Sequence, residues 1–220
     1  MVIEEQVSGP VNNENTHNIP FSLRELGEIP EGFVPVFIVI NRESMDHIAN
    51  NGFRTQDNRG NARNQQAEEL FQQSAQEHDM TVFDRTKCVF AYPRHPSRIG
   101  YGLGYEEDKH VIIEAYIDPK TALVANGDNF SEAATRLEYN KNVRSAKDYA
   151  DSYWENAKPL EQYVQEGHAG QMDDYDDFTF PEVLIMDDIP TSRLKVNLDR
   201  PSPEDEQEDR VEIETAEDNN

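Results

Sequence analysis

The chain has 220 residues, 36% of them hydrophobic, and a formal net charge of −24 at pH 7. The length suits one domain with tails, and the low apolar content predicts that part of the chain does not pack. The charge disfavours bulk nucleic acid and anionic membranes as partners, because Lys and Arg supply the non-specific affinity for both.

The two ends of the chain predict its domain organisation. Residues 1–30 are polar and rich in Pro and Asn, which predicts a flexible N-terminal segment. Residues 199–220 hold ten acidic residues against two arginines, a composition typical of a disordered acidic tail. The domain itself is therefore expected over residues 31–198.

Cysteine content and the N-terminus bear on the compartment. Cys88 is the one cysteine of the sequence, which excludes an internal disulfide and a Cys-based zinc site. Its apolar surroundings, CVFAY, indicate a small buried side chain. The sequence MVIEEQVSGP does not resemble a signal peptide, and no apolar run approaches the roughly 20 residues that span a bilayer. We therefore expect a cytoplasmic protein, or one exported by a route that needs no signal peptide.

Strand and helix patterns alternate irregularly along residues 34–197. The first pair is the β-branched run VPVFIVI and the short helix pattern after it, in which Met45, Ile48 and Ala49 share a face and Gly52 stops the helix. Further predicted strands are KCVFAYP, HVIIEAYIDP, TALVAN, PEVLIM and SRLKVN, and further predicted helices cover 67–78, 131–140 and 145–157. This order predicts an α+β fold, a split mixed or antiparallel sheet flanked by helices, rather than a doubly wound sheet.

The helix at 145–157 carries an aromatic stripe. Tyr149, Tyr153 and Trp154 recur at helical spacing. Such a stripe is typical of a core-facing side rather than of a base-stacking platform.

Metal and nucleotide motifs are weak. The six histidines show no metal-ligand spacing. DDYDDF, residues 173–178, lacks the Gly and terminal Glu of a calcium loop, which favours a solvated acidic loop. IGYGLGY is not the dinucleotide-binding motif GxGxxG, and neither GxSxG nor a Walker motif occurs.

A carboxylate stands at the entrance of the strand PEVLIM. Glu182 precedes the apolar run VLIM within DFTFPEVLIMDDIPTSRLKV. A carboxylate fixed at a cleft edge can stabilise developing positive charge or orient a hydroxyl. The spacing alone fits equally a rim residue that points to water.

The order of these segments resembles the ADP-ribosyltransferase-like domains. VFIVINRESMDHIANNGFRT resembles their opening strand, L-Y-(Arg or His)-x-(Thr/Ser), and the short helix that ends I-x-x-x-G. KCVFAYP and HVIIEAYIDPKTALVANGD resemble the second and the long central strand. PEVLIMDDIPTSRLKV is the best match, to the pattern E-V-x-(2–4)-I-P-x-x-x-I, and the resemblance spans roughly residues 34–196.

The resemblance implies cleavage of NAD at the nicotinamide–ribose bond and transfer of ADP-ribose to a nucleophile. It implies that Glu182 is the catalytic carboxylate, that Tyr92 stacks on nicotinamide, and that Arg42 and Arg85 bind the pyrophosphate. In the same alignment Ile38 stands where the family has Arg or His, and CVFAY stands in place of Ser-Thr-Ser.

These departures leave the function open between two hypotheses and a weaker third. The first is an NAD-dependent ADP-ribosyltransferase acting on a macromolecular acceptor. The second is a catalytically inactive module of the same fold, an acidic domain that binds a basic protein partner. The third is a relative that removes a 2′-phosphate with NAD.

For the acceptor of the first hypothesis, the acidity of the chain favours a protein. A basic island between residues 85 and 98 keeps nucleic acid as an alternative. Its members are Arg85, Lys87, Arg94, His95 and Arg98.

Overall fold

The strands form two antiparallel sheets in the part of the chain that the computed structural model describes, residues 19–55, 65–96, 106, 108–139, 141–167 and 180–197. In chain order the strands are β1 (Val34–Asn41), β2 (Val89–Ala91), β3 (His110–Ile117), β4 (Ala122–Asn126), β5 (Lys158–Pro159), β6 (Pro181–Ile185) and β7 (Leu194–Asn197). The first sheet has the order β1-β3-β7 and the second has the order β2-β6-β4-β5. The α+β prediction is confirmed, and the described strand pairs are antiparallel rather than mixed.

Helices flank the sheets. They are α1 (Met45–Asn51), α2 (Gln65–Glu77), α3 (Gly127–Glu138), α4 (Val143–Glu155) and α5 (Leu160–Gln165). The first four agree with the sequence prediction, although α3 begins four residues earlier than expected because the Asn126 side chain caps it. The sequence did not predict α5, because six residues are too few to show a helical period.

One local signal acts as expected, and one predicted strand is shorter than predicted. Gly52 ends α1 with a positive φ of 69°, and a Cβ at this position would clash with the Ile189 carbonyl. The second predicted strand, KCVFAYP, is shorter than expected, because a 3-10 turn covers Arg85–Lys87 and Tyr92 leaves β2 to pair with β1.

The two sheets meet at an antiparallel bridge between Phe37 of β1 and Tyr92 beyond β2. Each residue donates its N–H to the carbonyl of the other, at 2.8 and 2.7 Å. One face of each sheet contributes to a common aliphatic cluster, which we call the inter-sheet core. It includes alternate residues of the strands, such as Ile38, Ile113 and Val183.

The opposite face of the second sheet packs against α2, α3 and α4. The cluster here, the helix-side core, joins Leu123 and Leu184 of the sheet to Phe71, Tyr153 and Trp154 of the helices. Burial of Tyr153 and Trp154, which are 0% and 1% exposed, confirms that the aromatic stripe faces the core. Cys88 is also buried, as predicted, and burial raises the pKa of its thiol to about 12.

The N-terminal domain boundary needs a correction. Ile19 and Leu23 are 7% and 0% exposed and belong to the inter-sheet core, and the Gly27 N–H donates to the Ser192 carbonyl at 2.8 Å. Residues 19–30 therefore pack on the domain, because two apolar side chains in a polar stretch suffice to anchor it. Residues 1–18 and the predicted tail, 199–220, lie outside the described residues.

No helix in the described ranges is both long enough and apolar enough to cross a membrane.

Candidate functional site

Glu182 lies on the helix side of the second sheet. Side chains alternate along a strand, and Val183 belongs to the inter-sheet core whereas Leu184 belongs to the helix-side core. Glu182 therefore points in the same direction as Leu184. In β6 it pairs with Ala125 of β4, which places the carboxylate between sheet and helices rather than between the sheets.

The start of β6 is held firmly against the start of α3. The Gly127 N–H donates to the Phe180 carbonyl at 2.8 Å, and the Asn126 side chain accepts from the Phe180 N–H at 3.3 Å. A Cβ on Gly127 would lie 2.8 Å from the Phe180 ring and 3.4 Å from the carboxyl carbon of Glu182. A glycine here is what allows α3 to begin so close to the carboxylate.

A buried guanidinium contacts the Glu182 carboxylate. Arg85 Nη1 donates to Glu182 Oε1 at 2.5 Å, and Arg85 Nε donates to Glu68 Oε2 at 3.3 Å. The Tyr153 hydroxyl donates to the same Oε1 at 2.6 Å and is itself in close contact with Arg85 Nη1. We call these four side chains, Glu68, Arg85, Tyr153 and Glu182, the buried ion-pair cluster.

Aromatic rings enclose the guanidinium. The Arg85 Cζ lies 4.2 Å from the ring centroid of Phe130, 4.8 Å from those of Phe90 and Tyr153, and 5.4 Å from that of Phe71. Arg85 is 4% exposed. Cation–π contacts of this kind strengthen when water is excluded, so the rings both hold the cation and dehydrate it.

The charges of the cluster depend on one another. Burial by itself lowers the pKa of Arg85. The carboxylates of Glu182 and Glu68 and the Tyr153 oxygen outweigh this effect, so the pKa of Arg85 is raised. Burial also raises the pKa of Glu68, with the Arg85 charge opposing the shift. Burial raises the pKa of Tyr153 well above its usual value, so this hydroxyl stays a proton donor to Glu182 at neutral pH.

One oxygen of Glu182 is left for another partner. Both described hydrogen bonds of its carboxylate go to Oε1, and none of the described residues binds Oε2. The side chain keeps 13% of its surface exposed. The arrangement fixes the carboxylate through one oxygen and leaves the other to accept a hydroxyl or to face a developing positive charge.

Tyr92 lies beside Glu182, as its predicted role requires. Ala91 of β2 pairs with Val183 of β6, and the two strands are antiparallel. Tyr92, which follows Ala91, therefore neighbours Glu182, which precedes Val183. Burial raises the pKa of Tyr92 to about 12, and the charge of Glu182 adds to the shift. Its ring packs edge-on against Phe180, with centroids 5.7 Å apart. Whether Tyr92 stacks on nicotinamide stays a prediction.

The two predicted pyrophosphate ligands lie in different places. Arg42 follows β1, and its backbone N–H donates to the Lys109 carbonyl. Arg42 is five residues from Phe37, where the two sheets meet, and so lies roughly 17 Å away along the strand direction. Arg85 lies against Glu182 but is turned into the protein interior. No described contact brings Arg42 and Arg85 together.

Ile38 does not share a face with Glu182. It is 4% exposed in the inter-sheet core, where it pairs with Ile113. It also lines a cavity of about 480 Å³ between β1, α1 and β2, whose described lining includes Asn41 and His47 but not Glu182. A polar side chain at position 38 would therefore point away from the carboxylate.

The basic island is not an exposed patch in the described residues. Arg85 and Arg94 are 4% and 8% exposed, and Lys87 is exposed but pairs with Asp84 at 2.7 Å. Arg98 lies outside the described residues, as do the segments IGYGLGY and DDYDDF. Burial of two of the five charges corrects the interpretation that they form a surface for nucleic acid.

Sequence reasoning missed Glu68 and Tyr153 as parts of the site. Tyr153 was placed in the core correctly, but its hydroxyl was given no partner. Glu68 precedes Phe71 by three residues and Ala75 by seven, so it lies on the buried side of α2. A carboxylate at such a position was the signal for a buried cation nearby.

Among the described residues, no group of three or more His, Cys, Asp or Glu side chains is arranged to hold a metal ion. The comparisons with known proteins add no relative: no protein-family model matches the chain, and no curated protein or solved structure gives a significant match.

Proposed function

We propose that this chain is an NAD-dependent ADP-ribosyltransferase with an ADP-ribosyltransferase-like fold. The two antiparallel sheets flanked by helices are compatible with the split sheet that the resemblance implies. The observation that carries the proposal is the Glu182 carboxylate, which Arg85 and Tyr153 fix through Oε1 and whose side chain is 13% exposed.

In this reaction the acceptor nucleophile bonds to the ribose C1′ as the bond from C1′ to the nicotinamide nitrogen breaks. The electron pair of the broken bond leaves with nicotinamide, which becomes neutral, and the acceptor loses its proton to water. Positive charge builds up on the ribose in between. A carboxylate that accepts a ribose hydroxyl at Oε2 would both orient the sugar and stabilise that charge.

Tyr92 is the proposed aromatic neighbour of the nicotinamide ring. Its hydroxyl lies close enough to Glu182 for that charge to raise its pKa, and it stays neutral at physiological pH. Arg42 is the remaining candidate for the pyrophosphate, with a protein as the favoured acceptor of ADP-ribose.

The test uses NAD labelled in its adenosine half and follows both nicotinamide release and transfer of label to protein. We expect Glu182→Gln to lower turnover by roughly 100-fold or more, as the loss of one electrostatic group does in other enzymes. Glu114→Gln is the matched control, since Glu114 is also a half-buried strand carboxylate, bound by the Tyr116 hydroxyl at 2.8 Å. Equal turnover in Glu182→Gln and the wild type would remove the proposal.

A second candidate is the inactive acidic module that binds a basic protein. The burial of Arg85 favours it, because a guanidinium already paired with two carboxylates offers little charge to a pyrophosphate. The net charge of −24 favours it as well. Absence of NAD turnover, together with binding to a lysine-rich peptide that weakens steeply with salt, would support this candidate.

A further inference from the structure

The Arg85 guanidinium contacts the Glu182 carboxylate directly. We propose that Arg85, anchored by Glu68, is a positioning residue that orients the Glu182 carboxylate for catalysis. This inference rests on the proposed function, because it concerns how Glu182 presents Oε2 to a ribose. It replaces the expectation that Arg85 itself binds the pyrophosphate.

The contacts form a chain from α2 to β6. Glu68 Oε2 accepts from Arg85 Nε at 3.3 Å, and Arg85 Nη1 donates to Glu182 Oε1 at 2.5 Å. The guanidinium is planar and presents its N–H groups in a rigid fork. Fixing one edge of that fork at Glu68 therefore fixes the direction from which the other edge meets Glu182.

The surroundings of Arg85 leave it little freedom to move. Its side chain is 5% exposed, and the four rings of Phe71, Phe90, Phe130 and Tyr153 lie within 5.4 Å of its Cζ. Its backbone lies in a 3-10 turn capped by Asp84, whose side chain accepts from the Thr86 N–H at 3.1 Å. A side chain held at both ends is a stable support for a second side chain.

Tyr153 supplies the second constraint on the same oxygen. Its hydroxyl donates to Glu182 Oε1 at 2.6 Å from α4, whereas Arg85 approaches from the turn before β2. Two donors on one oxygen restrict rotation of the carboxyl group. They also account for Oε1, so that Oε2 is the oxygen left for substrate.

The two roles for Arg85 predict different kinetics. A residue that binds the pyrophosphate contributes to substrate affinity, so its loss raises KM for NAD. A residue that orients Glu182 acts on the transition state, so its loss lowers kcat and leaves KM nearly unchanged.

The first variant is Arg85→Lys in the full chain, assayed by NAD turnover. Lysine keeps the charge but is a point donor that cannot reproduce the planar fork. We expect kcat to fall roughly 10- to 100-fold with KM for NAD within about twofold, since small misplacements near a reacting centre cost up to about 10²-fold. An unchanged kcat, or a raised KM with kcat unchanged, would overturn the inference.

The second variant, Tyr153→Phe, tests the same inference even if Arg85→Lys does not fold. It removes one hydroxyl and keeps the ring over Arg85, and we expect kcat to fall about 10-fold with KM for NAD unchanged. Tyr149→Phe is the matched control on the same helix, because the Tyr149 ring lies 6.0 Å from Arg136 rather than at Glu182. Equal kcat values for the two tyrosine variants would count against the inference.

A third measurement does not depend on activity. The Nε–H of Arg85 is expected to give a slowly exchanging NMR signal that shifts in Glu182→Gln and in Glu68→Gln. If this NMR signal is absent, the inference that Glu68 and Arg85 position Glu182 is overturned, whatever the rate of NAD turnover. A wild-type protein without NAD turnover would instead remove the proposed function. Turnover with a normal kcat in Arg85→Lys would remove the inference alone.

Discussion

The two sides of the second sheet bury their side chains in different ways. The inter-sheet core consists mostly of aliphatic side chains such as Val124 and Ile185, and the buried Arg94 donates to the hydroxyl of Tyr163, a member of this core, at 3.3 Å. The helix side buries the same strands under α2, α3 and α4 but encloses Arg85 with two carboxylates. One sheet thus carries a mostly aliphatic face and a face that holds the buried ion-pair cluster.

The charged side is not explained by stability. Buried ion pairs gain little over well-packed apolar residues, because removing charges from water costs about as much as the pairing returns. Yet removing one partner of such a pair is expensive, since the other charge stays buried. We infer that the cluster holds one of its own members, the 13% exposed side chain of Glu182, in place for function.

The largest expected difference between the sides is in stability. We expect Arg85→Met to lower the free energy of unfolding by about 3–5 kcal/mol, because Glu68 and Glu182 lose their cation while remaining buried. The control, Ile185→Val in the inter-sheet core, should cost only about 0.5–1.5 kcal/mol. Urea unfolding followed by the fluorescence of Trp154, which is 1% exposed, measures both. A cost for Arg85→Met no larger than that of the control would show that the cluster is not a buried ion pair.

A second prediction concerns alkaline pH on the charged side. Tyr92 has its pKa raised to about 12, first by burial and then by the Glu182 charge. An unfolded tyrosine ionises near pH ~10, so the stabilisation is present below pH ~10 and is lost as pH rises towards ~12. The full loss is on the order of 2–3 kcal/mol.

Urea midpoints at pH 8 and pH 11 test this prediction in the wild type and in Tyr92→Phe. The variant should lose less stability between the two pH values than the wild type does. Tyr139→Phe is the control, because Tyr139 is 73% exposed and its hydroxyl meets solvent. Identical pH dependence in wild type and Tyr92→Phe would contradict the prediction.

The smallest expected effect comes from an exposed ion pair on the same helices. Lys147 of α4 donates to Glu77 of α2 and to Asp151, each at 2.7 Å, with 34% of its side chain exposed. We expect Lys147→Ala to cost less than about 1 kcal/mol, and less still at high salt. Urea unfolding at 50 mM and 1 M NaCl measures the difference. A cost approaching that of Arg85→Met would contradict the distinction between buried and exposed charges.

Much of the fold could be predicted from local patterns. The β-branched run of β1, the helical period of α2 and the positive φ of Gly52 are each properties of a few consecutive residues. The short elements were harder. β5 has two residues and α5 has six, and the pairing of β5 with β4 is a tertiary contact that no local period reveals.

The candidate site could be predicted only in part. Glu182 and Tyr92, which the resemblance predicts, lie near each other at the start of β6 and just beyond the end of β2. Their roles in a reaction stay predictions. Ile38 stands where the family has Arg or His, but strand alternation turns its side chain into the inter-sheet core. Glu68 lies on the apolar side of α2, which indicates a buried cation nearby, but no local pattern shows that this cation is Arg85, 17 residues further along the chain.

By itself, the sequence determined the α+β class, the positions of most strands and helices, the burial of the aromatic stripe and the unusual carboxylate at the entrance of PEVLIM. These follow from short-range periodicity and from residue chemistry. Only the tertiary structure decided which side of the sheet that carboxylate faces and what holds it. Arg85 and Glu182 are 97 residues apart, and Arg85 and Tyr153 are 68 apart. Contacts over such distances arise when strands and helices pack, and no local pattern encodes them.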